Sequence, residues 1–198
     1  MSTSDSLPQP TPTRAPWLLL LSLLALAAFG IRTLSNSDFW IHLATGRLIA
    51  QSGLPKIDPF AYTTFADRTW VNPSWLYDLA LYFMWRAGSA PVTILLHVAA
   101  LVGGLALLLP AARRLGSDSA AAAALLLAAW LIAPMFSVSA IAWVILFLGI
   151  FLVSLSNGLP GWSGRVFLCG VQVVWTNMHS SFLLGPLLVV LFAAEAAV

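Results

Sequence analysis

The apolar stretch PVTILLHVAALVGGLALLLPA, residues 91–111, decides the fold class of this chain. It carries no charged side chain, and the basic pair Arg113-Arg114 follows it almost at once. A helix needs roughly 20 mostly apolar residues to cross the hydrocarbon core of a bilayer. The stretch therefore predicts a membrane-spanning helix that ends at these arginines.

The composition of the whole chain agrees with that prediction. The chain has 198 residues, of which 60% are hydrophobic and 8% are charged, and its mean hydropathy is +0.92. Soluble domains carry about 25% charged residues. We therefore predict an all-α, polytopic transmembrane bundle of about five or six spans in contact with the lipid bilayer. The few basic residues are scattered rather than gathered in a stripe, which argues against nucleic-acid binding.

The apolar pattern divides the chain into successive regions. Residues 1–16, rich in Ser, Thr and Pro, are predicted to form a disordered tail. A transmembrane domain, 17–198, follows. It has a first span at 17–34, a long outer loop at 35–90 with two interfacial helices, and the remaining spans at 91–198. A signal-peptide interpretation of the first span stays open, because Ala25-Leu26-Ala27 is similar to a cleavage site.

The positions of the arginines predict the orientation. Arg14, Arg113, Arg114 and Arg165 flank short loops, so the positive-inside rule favours a cytoplasmic N-terminus in the inner membrane. The long loop is then extracytoplasmic. Because the chain ends at residue 198 while still apolar, we expect a truncated or N-terminal portion of a longer protein.

Three polar, aromatic-rich clusters interrupt the apolar sequence. They lie at residues 37–47, 70–75 and 175–182. The number of predicted spans between them is even, so all three are predicted on the same side of the membrane. Ionisable groups near a bilayer are expensive to maintain and usually mark a functional site. The sequence therefore predicts one site built from the three clusters.

The first cluster carries the strongest chemical signal. Residues 35–53 are predicted to form an interfacial helix on which Asp38, His42 and Thr45 share one stripe, whereas Arg47 points to the other side. A carboxylate and an imidazole one turn apart could bind a metal or act together as a general base. Alternatively, Asp38 only complements the helix dipole, and His42 is its structural neighbour.

The residues that follow this helix are more ambiguous. Asp58 precedes Pro59 and is interpreted as a turn residue, or else as a second carboxylate facing Asp38. Asn72 is predicted to cap a second surface helix that has Pro73 at its first position. On that helix Asp78 is predicted either to pair with Arg86 or to face a cavity.

The aromatic residues of the second cluster permit two interpretations. A stripe of Trp75, Tyr82 and Trp85 on the second surface helix is typical of the aromatic belt at a membrane boundary. The same side chains could instead stack on sugar rings.

The third cluster lies where the last apolar region is predicted to break. A helix break at membrane depth requires surrounding protein or a water-filled cavity. Asn177 and His179 would then lie at the cavity wall, either as ligand contacts or as partners in hydrogen bonds between helices.

The sequence DFWIHLATGR at 38–47, with DPFAYT at 58–63 and WVN at 70–72, resembles a bacterial group related to GT-C glycosyltransferases. WTNMHSSFLLG at 175–185 is similar to a further segment of that group. The resemblance covers most of the chain. It departs at Pro73-Ser74, where related chains often have His-Glu, and in the smaller number of spans.

The resemblance implies a GT-C-like fold and transfer of a sugar from a polyprenyl-phosphate donor to an extracytoplasmic acceptor. Asp38 would be the base or the partner of a divalent cation, Mg or Mn, and Asp58 a second acid. His42, Asn177 or His179 would contact the phosphate, and Arg47 would offset its charge. Substrate contacts are also expected at Trp70, Asn72 and Trp75. The alternative is a non-catalytic scaffold or lipid-binding subunit.

Overall fold

The computed structural model describes residues 15–31, 34, 36–62, 69–132, 138–156 and 158–196. The predicted all-α class is confirmed for these residues, which contain two isolated β-bridges but no strand. Residues 1–14 of the tail predicted at 1–16 lie outside this range, and Pro16 begins a helix. The helices are α1 (Pro16–Gly30), α2 (Ser37–Ser52), α3 (Trp75–Leu107), α4 (Leu109–Leu115), α5 (Asp118–Ile132), α6 (Ile141–Leu155), α7 (Trp162–Met178), a 3-10 turn (Ser180–Leu183) and α8 (Leu184–Glu195).

Among the described residues, one helical stretch, Trp75–Arg114, is long and apolar enough to cross a membrane by length and composition. The other apolar helices are shorter, including α1, which ends four residues before the predicted end of the first span. The large hydrophobic side chains on their outer surfaces are nevertheless exposed, among them Trp17, Leu24, Leu127 and Trp130. Exposed apolar surface of this extent is typical of a membrane or protein contact.

Helix α3 is interrupted at Gly88 and Ser89, and Ser89 adopts a positive φ of 52°. In a straight helix, residues twenty positions apart would be about 30 Å apart. Here the Tyr77 hydroxyl lies 3.1 Å from Nε2 of His97. The segment before Gly88 therefore folds back on the segment after Ser89. The break lies about two residues before the predicted boundary between the outer loop, 35–90, and the span that starts at residue 91.

The starts of the two outer-loop helices differ in how well they were predicted. Helix α2 matches its predicted bounds closely, with Asn36 as its cap and Gly53 after its last turn. Helix α3 begins at Trp75 rather than at Pro73, so the predicted start was wrong. Asn72 caps a preceding turn instead, because its side chain accepts a hydrogen bond from the Ser74 amide at 2.9 Å.

Two apolar cores hold the helices together. The first joins α2, α3, α6 and α7, and its centre is Trp175, whose ring lies 5.5 Å from Phe147 and 5.8 Å from Phe151. The second joins α1, α3, α5 and the first turn of α6. Beside the second core, the buried Asp118 accepts a 2.8 Å bond from Arg113 and a 2.7 Å bond from the Ala15 amide.

Glycines allow α3 and α6 to approach each other backbone to backbone. A Cβ added to Gly149 would lie 2.5 Å from the carbonyl oxygen of Gly104, closer than atoms in proteins pack. Since His97 lies beside Trp143 and Gly104 beside Gly149, α6 runs in the same direction as the second segment of α3. This contact fixes α6 relative to the rest of the bundle.

Replacing Gly149 with alanine should therefore destabilise the protein by about 1–3 kcal/mol, because the methyl group overpacks the contact. Gly170 on α7 has open space around its would-be Cβ. Gly170→Ala should be neutral or stabilising by up to about 1 kcal/mol, because alanine favours helix more than glycine does. Thermal unfolding of both variants in detergent measures the difference. Equal effects of the two substitutions would contradict the close contact.

Candidate functional site

The structure brings the three polar clusters together around a cavity of about 370 Å³. Residues of α2, of the turn before α3, of the segment before α6 and of the junction between α7 and α8 contribute to its wall. The polar side chains that line it are those of Asn36, Asp38, His42, Ser74, Ser139, His179 and Ser180. The predicted convergence of the clusters is therefore present in the described structure.

Local interactions place α2 at this cavity. The Asn36 side chain accepts a 3.0 Å hydrogen bond from the Asp38 amide and starts the helix. Six residues before the helix ends, Gly46 lies directly against the backbone of Asp78, and a Cβ there would overlap the Asp78 carbonyl. Only glycine permits this approach, which brings α2 and the first segment of α3 into contact. The side chain of His42 consequently reaches α3.

The closest polar contact between these helices joins His42 to Asp78. Nδ1 of His42 lies 2.5 Å from one carboxylate oxygen of Asp78, and Nδ2 of Asn72 donates to the other oxygen, also at 2.5 Å. Asp78 is only 2% exposed. A buried carboxylate needs such hydrogen bonds to offset the loss of water. The bond makes Nδ1 the protonated nitrogen of His42 and leaves Nε2 without a hydrogen-bond partner among the described residues.

This arrangement corrects two predictions. His42 was expected to act with Asp38, its neighbour one turn away, but its ring is bonded to Asp78 instead. Asp78 was expected to pair with Arg86 or to face a cavity, whereas it lies behind His42 and bonds inward to His42 and Asn72. The contact of Asp78 with His42 was missed, because helical spacing alone does not reveal contacts between helices.

Asp38 lies on the same cavity wall but is exposed, and the Ser37 hydroxyl donates a 3.5 Å bond to its carboxylate. Among the described residues, no three His, Cys, Asp or Glu side chains converge as metal ligands would. Asp38 is the one carboxylate that lines this cavity in that part of the chain. A cation bound here would therefore need oxygens from a ligand or from water to complete its coordination.

The junction between α7 and α8 contributes the second imidazole. Nδ1 of His179 accepts a 3.1 Å bond from the Ser181 amide and lies 2.9 Å from the Ser181 hydroxyl, so His179 caps the 3-10 turn. Because Nδ1 is an acceptor, the proton of the neutral ring is on Nε2. Burial, and secondarily the charge of His42, lower the pKa of His179 below its ordinary value of 6.5.

The two histidines therefore line one cavity as opposite tautomers. His42 carries its proton on Nδ1 and has a free acceptor at Nε2, whereas His179 offers an Nε2–H donor. Such a pair can accept a proton from one group and donate a hydrogen bond to another at the same time. Asp38 adds a negative charge to the same cavity.

The other predicted site residues do not line the cavity. Nε1 of Trp75 donates a 2.7 Å hydrogen bond to Oδ1 of Asn177. This bond joins α3 to α7 next to the cavity. Asp58 accepts from the Phe60 amide at 2.9 Å, which is the predicted turn role. Arg47 is exposed and Trp70 bonds through its backbone to Lys56; neither lines the cavity.

Comparisons of this chain with protein families, with curated proteins and with solved structures find no match.

A double-mutant cycle on His42 and Asp78 tests the bond between α2 and α3. We expect a coupling of about 1.5–3 kcal/mol in the free energy of unfolding, the range for hydrogen bonds to charged groups. The matched cycle on His42 and Asp38 should give a coupling close to zero, because these side chains share no hydrogen bond. Urea or thermal unfolding in detergent measures both cycles. A larger coupling for His42 with Asp38 would contradict the observed pairing.

The pKa of His179 can be tested by NMR titration of ¹³C-labelled histidine. We expect His179 to titrate below 6.5. In His42→Gln its pKa should rise part of the way, because one lowering cause is removed and burial remains. Since the folded pKa lies below the unfolded value, the unfolded chain binds more protons, and this group reduces stability as the pH falls below 6.5. A value for His179 that is insensitive to His42→Gln would show that the imidazoles do not interact.

Proposed function

We propose that this chain is a membrane glycosyltransferase, or the N-terminal portion of one, that moves a sugar from a polyprenyl-phosphate donor to an extracytoplasmic acceptor. One observation carries the proposal. Two imidazoles of opposite tautomer and the Asp38 carboxylate line a single cavity where the three polar clusters meet. The resemblance of these clusters to the GT-C group supplies the reaction class.

The proposed setting is the inner membrane, with about five or six spans and a cytoplasmic N-terminus. The exposed apolar surfaces of α1 and α5 support contact with lipid. In that orientation, the arginines at the far ends of α4 and α7 are cytoplasmic, as the positive-inside rule favours. The cavity then opens on the extracytoplasmic side, where lipid-linked sugars meet secreted acceptors.

The chemical step follows from the two tautomers. Nε2 of His42 accepts the proton of the acceptor hydroxyl while that oxygen forms a bond to the anomeric carbon of the sugar. The bond between this carbon and the donor phosphate oxygen breaks, and polyprenyl phosphate leaves with the electron pair. Asp78 stabilises the imidazolium that forms on His42, because its carboxylate is already bonded to Nδ1. His179 donates its Nε2–H to the leaving phosphate.

A divalent cation remains part of the proposal. Mg²⁺ is commonly bound by one or two carboxylates together with substrate phosphates and water, and Asp38 matches that requirement. Bound there, the cation would supply positive charge next to the donor phosphate. The contacts predicted from the sequence for Arg47, Asp58 and Trp70 also stay predictions, since these residues lie outside the cavity wall.

Transfer from a panel of radiolabelled polyprenyl-phosphate sugars, with membrane extract as the acceptor source, tests the function. His42→Gln should reduce transfer at least about 100-fold, the usual contribution of a general base, and Asp38→Asn should also lower it strongly. Glu195→Gln, an exposed acid on the last turn of α8, is the matched control and should leave transfer unchanged. Circular dichroism and size-exclusion chromatography confirm that each variant is folded.

The rival hypothesis is a non-catalytic membrane scaffold or lipid-binding subunit. It predicts that no sugar is transferred, or that transfer is the same in the wild type and in His42→Gln. Either result would contradict the proposal for the chain as given. Repeating the assay on any longer form of the protein distinguishes a scaffold from an incomplete enzyme.

A further inference from the structure

A second cavity, of about 510 Å³, lies between α6, α7 and α8. Its volume is typical of a small-molecule site. The wall is formed mainly by apolar side chains, among them Phe151, Leu155, Leu168, Val189 and Val190. No step of the proposed sugar transfer uses it.

One cationic side chain, Arg165, lies among the residues that line this cavity. Its Nε donates a 2.8 Å hydrogen bond to the carbonyl of Pro160, which also lines the cavity. This bond holds the guanidinium group at the cavity wall. The side chain is exposed, and its terminal N–H groups have no partner among the described residues. An apolar cavity with an available guanidinium complements a ligand with a hydrocarbon chain and an anionic head.

This cavity is distinct from the one between the two histidines. Arg165 lies in the first turn of α7, and His179 follows the end of that helix. The fourteen positions between them correspond to about 21 Å along the helix axis. In the proposed orientation, Arg165 lies at the cytoplasmic surface and the histidines at the opposite one. A donor held at the histidines would not place its phosphate at Arg165.

We propose that this second cavity binds an anionic phospholipid of the membrane, with an acyl chain between α6, α7 and α8 and its phosphate at Arg165. The apolar wall excludes a purely polar ligand. An uncharged apolar partner would cover Arg165 without neutralising it, at a cost in free energy. An anionic phospholipid complements both the apolar wall and the positive charge of Arg165. A zwitterionic lipid has no net charge and therefore neutralises Arg165 less well. This inference does not depend on the proposed sugar transfer.

Native mass spectrometry of the purified full chain in detergent, with phosphatidylglycerol or phosphatidylcholine added, tests this site. We expect phosphatidylglycerol to bind about tenfold more tightly, from one charge-assisted contact. Arg165→Gln should remove that preference and leave phosphatidylcholine binding unchanged. Arg114→Gln, an exposed arginine outside this cavity, is the control and should retain the preference. Val190→Trp, at a position 63% exposed, should weaken both lipids by filling the cavity.

The single cysteine of the chain, Cys169, locates the bound lipid. It is exposed and lines this cavity, so an acyl chain there should slow its reaction with a maleimide severalfold. The proposal is overturned if the preference for phosphatidylglycerol survives Arg165→Gln. It is also overturned if bound phosphatidylglycerol leaves the Cys169 reaction unchanged, or if Cys169 is unreactive without lipid, which would mean that another part of the protein covers the cavity.

Discussion

The buried carboxylate of Asp78 is the group on which the rest of the site depends. A carboxylate that is only 2% exposed needs nearby hydrogen-bond donors, and here His42 and Asn72 supply them. Those two residues belong to α2 and to the turn before α3. One buried side chain therefore fixes the position of a helix and a turn, and it also sets the tautomer of the imidazole that lines the cavity.

The apolar scaffold makes that interaction possible by placing helices very close together. Glycines at 46, 104 and 149 remove side chains where backbones meet, and the break at Gly88 and Ser89 folds α3 back on itself. The same break brings Tyr77 to His97, so a polar pair is satisfied inside an otherwise apolar bundle. Hydropathy alone therefore does not predict these close helix contacts or the break in α3.

Much of this could be predicted from the sequence, but contacts between helices could not. The bounds of α2 and the meeting of the three clusters follow from local periodicity and from counting spans. The pairing of His42 with Asp78 depends on how α2 is rotated against α3, which is set by the contact at Gly46. Helical spacing therefore pointed to Asp38, the neighbour in sequence, rather than to Asp78. The start of α3 was placed too early because Asn72 caps a turn and not the helix.

The contact with Asp78 leaves Nε2 of His42 without a hydrogen-bond partner among the described residues and so fixes the tautomer of this ring. Nitrogen-15 NMR of the histidine side chains, above the pH at which imidazoles are charged, measures the tautomer directly. We expect His42 to be protonated on Nδ1 and not on Nε2, and Asp78→Asn to abolish or weaken this preference. Protonation on Nε2 in the wild type, or a tautomer indifferent to Asp78→Asn, would contradict this expectation.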